Sequence, residues 1–322
     1  MKILVTGGGG YLGGRIAIYF KQLGHSVGII TSKVELSVKK EYFGIEVNNI
    51  SILDNDDLLR VTVGVDVIIH CAGPNSEFAS FNSFKAAEFS GIGTYSLLNA
   101  AISNGVSRFY YFSTIHVYSS PLVGVIDEFS ALSNYHPYAI THRIAEDFII
   151  LAIRSKLIEG GVIRLSNSFG PPVLWELDSW KLAINNMCYD AVFKGLIQLK
   201  SNINTERNFI SIKKIEKFLE YELTVNTVFK DPSCIYNLGY SRNYSLIEIA
   251  NLIKQKCEIL LKKDISILYQ ESDTADIQPF KFESKLIEMS EFDFVEDIEQ
   301  DISEFIVFIG HHYNLDDNNK VI

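Results

Sequence analysis

The sequence predicts a doubly wound α/β fold, a parallel sheet with helices on both faces, carrying a smaller C-terminal lobe. Three observations predict it. Short apolar runs alternate with amphipathic helical stretches through residues 1–170. Strand-like runs such as Val65-Asp66-Val67-Ile68-Ile69-His70 are apolar at nearly every position rather than every second one. A glycine-rich turn joins the first run to the first helix. A strand that is apolar on both faces is buried on both faces, as in a parallel sheet sandwiched between helices.

In chain order, Ile3-Leu4-Val5 reads as the first strand, followed by a helix from about Tyr11 to Leu23. Val27 to Thr31 is a second strand and Ile45 to Ile50 a third. Asp54-Asn55-Asp56-Asp57 offers side-chain acceptors that cap a short helix with leucines behind it. Val65 to His70 is the next strand, and a long helix follows from about Phe81 to Asn104, closed by Gly105 as C-cap. Arg108 to Phe112 is a strand. Pro137 suits a first helical turn, where no N–H is needed, and opens a helix to about Leu157. Val162-Ile163-Arg164-Leu165 is again a strand. After Gly170-Pro171-Pro172 the regularity weakens: Leu174 to Lys194 reads as helix, and Phe209 to Ile212 and Cys234 to Leu238 as strands. Ser245 with Glu248 forms a capping box that opens a helix through Lys256. Trp175, Trp180 and Tyr189 lie where the lobe begins and read as lobe core or as a pocket wall.

The chain has 322 residues, room for about two domains. Hydrophobic residues make up 47% and charged residues 21%, which excludes a disordered or coiled-coil chain. A net charge of −10 argues against nucleic acid or an anionic membrane surface as partner. The four cysteines, Cys71, Cys188, Cys234 and Cys257, have neither metal-ligand nor disulfide-framework spacing. They read as buried thiols in a reducing compartment, with no metal implied. Met1 to Val5 is too short for a targeting core, and no apolar run approaches the roughly 20 residues of a membrane span. A soluble, cytoplasmic protein is expected.

The turn Thr6-Gly7-Gly8-Gly9-Gly10-Tyr11-Leu12-Gly13 spaces Gly7, Gly10 and Gly13 as G-x-x-G-x-x-G between strand and helix. Glycine is needed there because the turn is tight, the backbone must approach a diphosphate, and the helix must pack close to the strand. The helix N-terminus adds free N–H groups and a positive dipole end. Gly7, Gly10, Tyr11, Leu12 and Gly13 are therefore candidate dinucleotide contacts. The second strand ends in Thr31-Ser32-Lys33 rather than in an acidic residue, which tolerates a 2′-phosphate and slightly favours NADP over NAD. A merely solvated Lys33 remains an equal reading. Residues 1–170 are expected to form the dinucleotide-binding domain, with segments near 205–240 returning to it, and residues 171–322 mainly a substrate-binding lobe.

Several further stretches carry a resemblance. They are Val67 to Gly73, Phe112-Ser113-Thr114-Ile115-His116-Val117-Tyr118, Asp127-Glu128, and Pro137-Tyr138-Ala139-Ile140-Thr141-His142. Arg164 to Pro171, Arg207-Asn208-Phe209-Ile210 and Tyr236-Asn237-Leu238-Gly239 continue it. With the glycine turn, they resemble the extended short-chain dehydrogenase/reductase family, the group that includes UDP-glucose 4-epimerase and other nucleotide-sugar-modifying enzymes. The resemblance implies a Rossmann-type domain and a redox centre of Thr114 and Tyr138. The family's lysine, four residues after the tyrosine, is here His142. It still lies on the same helix face, but an imidazole is mostly neutral near pH 7, so Tyr138 is expected to be a weaker base.

The resemblance also implies that Cys71, Ala72 and Gly73 line the cofactor, that Asn167 contacts substrate, and that Arg207 pairs with a nucleotide-sugar diphosphate. Ser51 stands where the family has an adenine-contacting Asp. Ile115-His116 replaces the Asp-Glu pair of the 4,6-dehydratases, which disfavours ordinary 4,6-dehydration. His116 reads equally as a second acid/base or as a packed histidine; His70 reads as structural and His25 as a surface loop residue. The function implied is an NAD(P)-dependent epimerase or reductase of a nucleotide-linked sugar. Two alternatives stay open: a non-catalytic dinucleotide-binding sensor or scaffold, and a reductase of a non-sugar carbonyl compound. The helices from Phe81 and Pro137 are expected to pair in a homodimer.

Overall fold

The computed structural model describes residues 1–32, 43–225, 234–269, 279–288, 292 and 297–319 (side chains as far as 313). Lys33 lies outside the described residues. Among the described residues seven parallel strands form the central sheet: β1 (Lys2–Thr6), β2 (Ser26–Ile30), β3 (Glu46–Asn48), β4 (Val67–His70), β5 (Arg108–Thr114), β7 (Glu159–Leu165) and β11 (Ile235–Leu238). Their order is β11-β7-β5-β4-β1-β2-β3. The strand order therefore reverses between β1 and β4, the crevice where open α/β sheets hold ligands.

Alternation along single strands shows both faces of the sheet buried. Ile3 and Val5 of β1 and Tyr110 and Phe112 of β5 face one core. Leu4, Phe109 and Tyr111 face the other, with Leu97 and Leu98 of the Thr94–Ser103 helix and Ala145 and Ile149 of the Pro137–Arg154 helix. Beyond the sheet, β6 (Gly124–Ile126) and β9 (Leu196–Leu199) pair with Phe280–Phe282 and Ser266–Tyr269, while β8 (Asn167–Phe169), β10 (Glu206–Ser211) and β12 (Asn243–Ser245) form a three-stranded sheet, with β10 parallel to β8 and antiparallel to β12. Among the described residues the chain returns to the large sheet once more, when β11 pairs with β7.

Two helices differ from the sequence reading. The stretch expected as one helix from Phe81 to Asn104 is broken into Ser76–Phe81, Ser83–Ala87, a π-helical turn at Glu88–Gly93, and Thr94–Ser103. Asn75 and Asn82 cause the restarts: their side chains accept the N–H groups of Phe78 and Lys85 and cap new helices. Gly91 and Gly93 let the π turn press inward; a β-carbon there would lie 3.0 Å from Ile144 and 2.7 Å from Ile52. Similarly, the helix expected from Leu174 begins only at Ala183 and ends at Lys194. The preceding segment is held by its own aromatics, with the Trp180 indole N–H donating to the Trp175 carbonyl at 2.8 Å.

Candidate functional site

The glycine turn follows β1 without interruption. Gly7 adopts φ +67°, and a β-carbon on it would lie 2.9 Å from the Ala72 nitrogen. A β-carbon on Gly13 would lie 2.6 Å from the Gly7 carbonyl oxygen. Glycine at these two positions is thus demanded by the approach of the first helix and of the segment after β4. The turn opens onto a cleft of about 580 Å³ lined by Gly7, Gly9, Gly10, Thr31, Ser32, Cys71, Ala72 and Gly73, and by the side chains of Asn49, Ile52, Phe78 and Phe89. Ser51 also lines it.

Tyr11, Leu12 and Gly13 stand at the mouth of the first helix rather than in the cleft wall. The Tyr11 hydroxyl donates to the Gly170 carbonyl at 3.0 Å, and the Asn185 amide brackets Gly170 from both sides, at 3.0 and 3.1 Å. Burial raises the Tyr11 phenol above its ordinary range, so it stays protonated and can donate.

A second cleft of about 600 Å³ brings together His116, Asn167 and Arg207 with Ser119, Ser120, Thr205, Glu206 and Phe280. Arg207 is half-buried on β10, and no carboxylate among the described residues pairs with it. Burial pushes its pKa down. The Asn167 amide donates to the Asn208 carbonyl at 2.8 Å, which fixes β8 beside β10.

Tyr138 and His142 sit between the two clefts. His136 caps their helix by accepting the Tyr138 N–H at 3.2 Å, and Pro137 fills the first turn. The rings of Tyr138 and His142 meet edge to face with centroids 4.5 Å apart. The His142 ring edge faces the Gly73 backbone of the first cleft, 3.9 Å from where a β-carbon would sit. The His116 ring, in the second cleft, is 6.4 Å from that of Tyr138. Thr114, at the end of β5, acts on the Tyr138 phenol and lowers its pKa, but burial dominates and leaves it raised. The Thr114 hydroxyl also accepts the His116 N–H at 3.2 Å, holding the short turn that presents His116.

Neither histidine near Tyr138 supplies a fixed positive charge. Burial, with His116 nearby, lowers the His142 pKa to about 4. His116 is lowered by its surroundings and by the Arg207 guanidinium. His142 Nδ1 lies 2.7 Å from the Tyr111 hydroxyl, a partner missed in the sequence. The signal was there: Tyr111 alternates with Tyr110 along β5 and so must face the Pro137–Arg154 helix. His70 is structural, with Nδ1 at 2.5 Å from the Thr6 hydroxyl and Nε2 at 2.9 Å from that of Thr94. Trp175 and Trp180 pack into the lobe interior against His312 and Phe305, the core reading rather than the pocket wall. Among the described residues no cluster of His, Cys, Asp and Glu could hold a metal ion, and no helix is long and apolar enough to cross a membrane.

Comparison with known proteins places these features. Residues 3–239 match the sequence model of the NAD dependent epimerase/dehydratase family. UDP-glucuronic acid decarboxylase 6 of Arabidopsis thaliana is 26% identical over 292 residues, covering 86% of this chain and 79% of that protein. The structure of UDP-glucose 4-epimerase from Thermotoga maritima with UDP-glucose superposes with TM-score 0.79 at 17% identity, covering 98% of this chain and all of the other. That of UDP-glucose 4-epimerase from Thermus thermophilus with NAD superposes with TM-score 0.75 at 16% identity, covering 96% and 99%.

Proposed function

The chain belongs to the NAD dependent epimerase/dehydratase family, and on that premise we propose that it epimerises or reduces a nucleotide-linked sugar with a nicotinamide dinucleotide as hydride carrier. The observation that carries this reading is the position of Tyr138 and Thr114 between a glycine-lined cleft and a cleft holding an arginine that pairs with no carboxylate among the described residues.

The fit of the dinucleotide rests on the glycine cradle, where any β-carbon at Gly7 or Gly13 would collide with backbone. Gly7, Gly9 and Gly10 would hold its diphosphate, Thr31 and Ser32 the adenosine ribose, and Cys71, Ala72 and Gly73 the inner wall. Among the described residues no carboxylate lines the cleft at Thr31 and Ser32, which is compatible with either dinucleotide and slightly favours NADP. When bound, the dinucleotide supplies or accepts the hydride. Tyr138 exchanges a proton with the sugar oxygen, and Thr114 orients that oxygen through its hydroxyl. His142 orients the phenol and the cofactor ribose. Arg207 binds the sugar diphosphate, a task suited to a forked cation, and Asn167 lies beside it. His116, neutral and facing the second cleft, is the second acid/base for a carbon next to a carbonyl.

A second reading, cofactor binding without turnover, is favoured by the lack, among the described residues, of a fixed positive charge beside Tyr138. A thermal-shift screen with NAD, NADP and UDP-, GDP- and dTDP-sugars separates the readings, because a ligand of the folded state raises its apparent stability. Dinucleotide and nucleotide sugar are each expected to raise the unfolding temperature, the sugar effect being lost in Arg207→Ala. No shift with either dinucleotide overturns the proposal; a dinucleotide shift with no sugar response favours the non-catalytic reading.

We also propose a homodimer. Phe81 and Phe84 are 91% and 79% exposed, and Ile92 and Tyr95 follow on the same helical stretch. Tyr95 packs on Phe148, one turn before exposed Leu151.

A further inference from the structure

Thr6, His70 and Tyr111 are register neighbours across β1, β4 and β5, and they lead to His142. The rings of His70 and Tyr111 lie 5.3 Å apart, and those of Tyr111 and His142 5.9 Å apart, tilted by 31° and 32°. His70 is anchored by the hydroxyls of Thr6 and Thr94. The Tyr111 hydroxyl is thus carried by a central strand and backed by an anchored ring, a rigid mount for a polar group. It lies 2.7 Å from His142 Nδ1.

The direction of that bond follows from the partners available. Tyr111 is 2% exposed, and among the described residues His142 Nδ1 is the only hydrogen-bond partner of its hydroxyl. Were Nδ1 the protonated nitrogen, the Tyr111 O–H would be buried without an acceptor, at its full desolvation cost. The hydroxyl therefore donates, Nδ1 accepts, and the imidazole proton sits on Nε2. The Cε1 edge of the ring, between the two nitrogens, is 3.9 Å from where a β-carbon on Gly73 would sit, and Gly73 lines the first cleft. A free imidazole presents either a donor or an acceptor to a ligand; one held by Tyr111 presents a donor.

We propose that Tyr111 is a positioning residue: it locks His142 as the Nε2–H tautomer, so that His142 serves the dinucleotide as a fixed hydrogen-bond donor to a hydroxyl of the nicotinamide ribose. The ribose contact rests on the reading above; the tautomer does not. A lysine at this place would hold a hydroxyl through an ammonium on a flexible four-carbon stem, whose freedom is lost when the ligand arrives. An imidazole pinned at Nδ1 has its donor placed beforehand, which reduces that cost. Tyr111 thus acts on a ligand that it does not touch, and its role passes entirely through one hydroxyl.

The tautomer is read first, in the ligand-free parent. Nitrogen-15 NMR of histidine-labelled protein distinguishes a protonated Nε2 from a protonated Nδ1, and the His142 signals are those lost in His142→Gln. A pure Nε2–H form in the parent that gives way to Nδ1–H or to a mixture in Tyr111→Phe supports the proposal. A parent in the Nδ1–H form or a mixture, or an unchanged Tyr111→Phe spectrum, overturns it. Calorimetric affinities for NAD, NADP, ADP-ribose and ADP then separate positioning from a general loosening of the fold, because ADP lacks the second ribose. Tyr111→Phe is expected to weaken the dinucleotides and ADP-ribose by about threefold or more, with ADP unchanged. Equal weakening of all four, or of none, overturns the proposal. Two further variants give the same answer without touching Tyr111. His142→Gln offers an acceptor and a donor in one group and is expected to keep the preference for ADP-ribose over ADP, whereas His142→Leu offers neither and is expected to lose it; the same preference in both overturns the ribose contact. Failure of the wider reading is separate, and shows as a parent that binds neither dinucleotide, whatever tautomer the spectrum gives.

Discussion

His70 and His142 are both neutral in the interior, for different reasons. His70 spends both ring nitrogens on Thr6 and Thr94 and has its pKa lowered to about 3 by burial. His142 spends one nitrogen on Tyr111 and is lowered to about 4. Both folded values lie below the ordinary histidine value of about 6.5, so the unfolded chain takes up protons first as pH falls. Their contribution to stability is complete above about pH 6.5 and is lost as pH drops towards 4. The thermal midpoint is expected to fall across that window, less steeply in His142→Gln; a parent midpoint that is flat from pH 7 to 4 would contradict this. The identity of His142 and its neutral form near pH 7 were legible in the sequence, whereas its burial and its Tyr111 partner, 31 residues away, arise from the packing of helix on sheet.

The glycine turn shows how far local pattern carries at the scale of the element. Strand, turn and helix were readable from Gly7, Gly10 and Gly13 because each glycine answers a backbone constraint inside one βα unit. Gly13→Ala would place a methyl 2.6 Å from a carbonyl oxygen in a helix that cannot retreat. It is expected to weaken dinucleotide binding at least tenfold, measured by fluorescence titration, while the fold measured by circular dichroism persists. The break in the helical stretch after Asn82 was less legible. Its cause is a competition between helix continuation and the Asn82 cap, and the π turn that follows packs its Gly91 and Gly93 against Ile144 and Ile52 from distant segments. The capping box at Ser245 and Glu248 is complete within four residues and so was readable directly.

For the whole molecule, one carboxylate joins distant segments. Glu128 accepts the N–H groups of Asn237 on β11 at 3.1 Å and of Lys285 and Leu286, which open the Lys285–Glu288 helix, at 3.2 and 3.5 Å. Glu128→Gln replaces one acceptor by a donor facing N–H groups and is expected to cost about 1–3 kcal/mol in denaturant unfolding. The exposed Phe81 and Phe84 give the corresponding surface prediction. Phe81→Glu with Phe84→Glu should halve the mass measured by analytical ultracentrifugation at unchanged thermal midpoint of the protomer; a parent that sediments as a single chain refutes the dimer. The parallel sheet was legible because each strand declares its burial in its own residues. The lobe was less so, since its pairings, such as β8 with β10, join segments about forty residues apart through short strands.

The bond from Tyr11 to the Gly170 carbonyl couples the first turn of the first helix to the point where the chain leaves the sheet for the lobe. Asn185, on a lobe helix, grips the same glycine. Immobilising either side removes part of the freedom that the other ligand would otherwise have to quench. Dinucleotide and sugar should therefore strengthen one another's binding by a common factor, and Tyr11→Phe should shrink that factor from both directions equally.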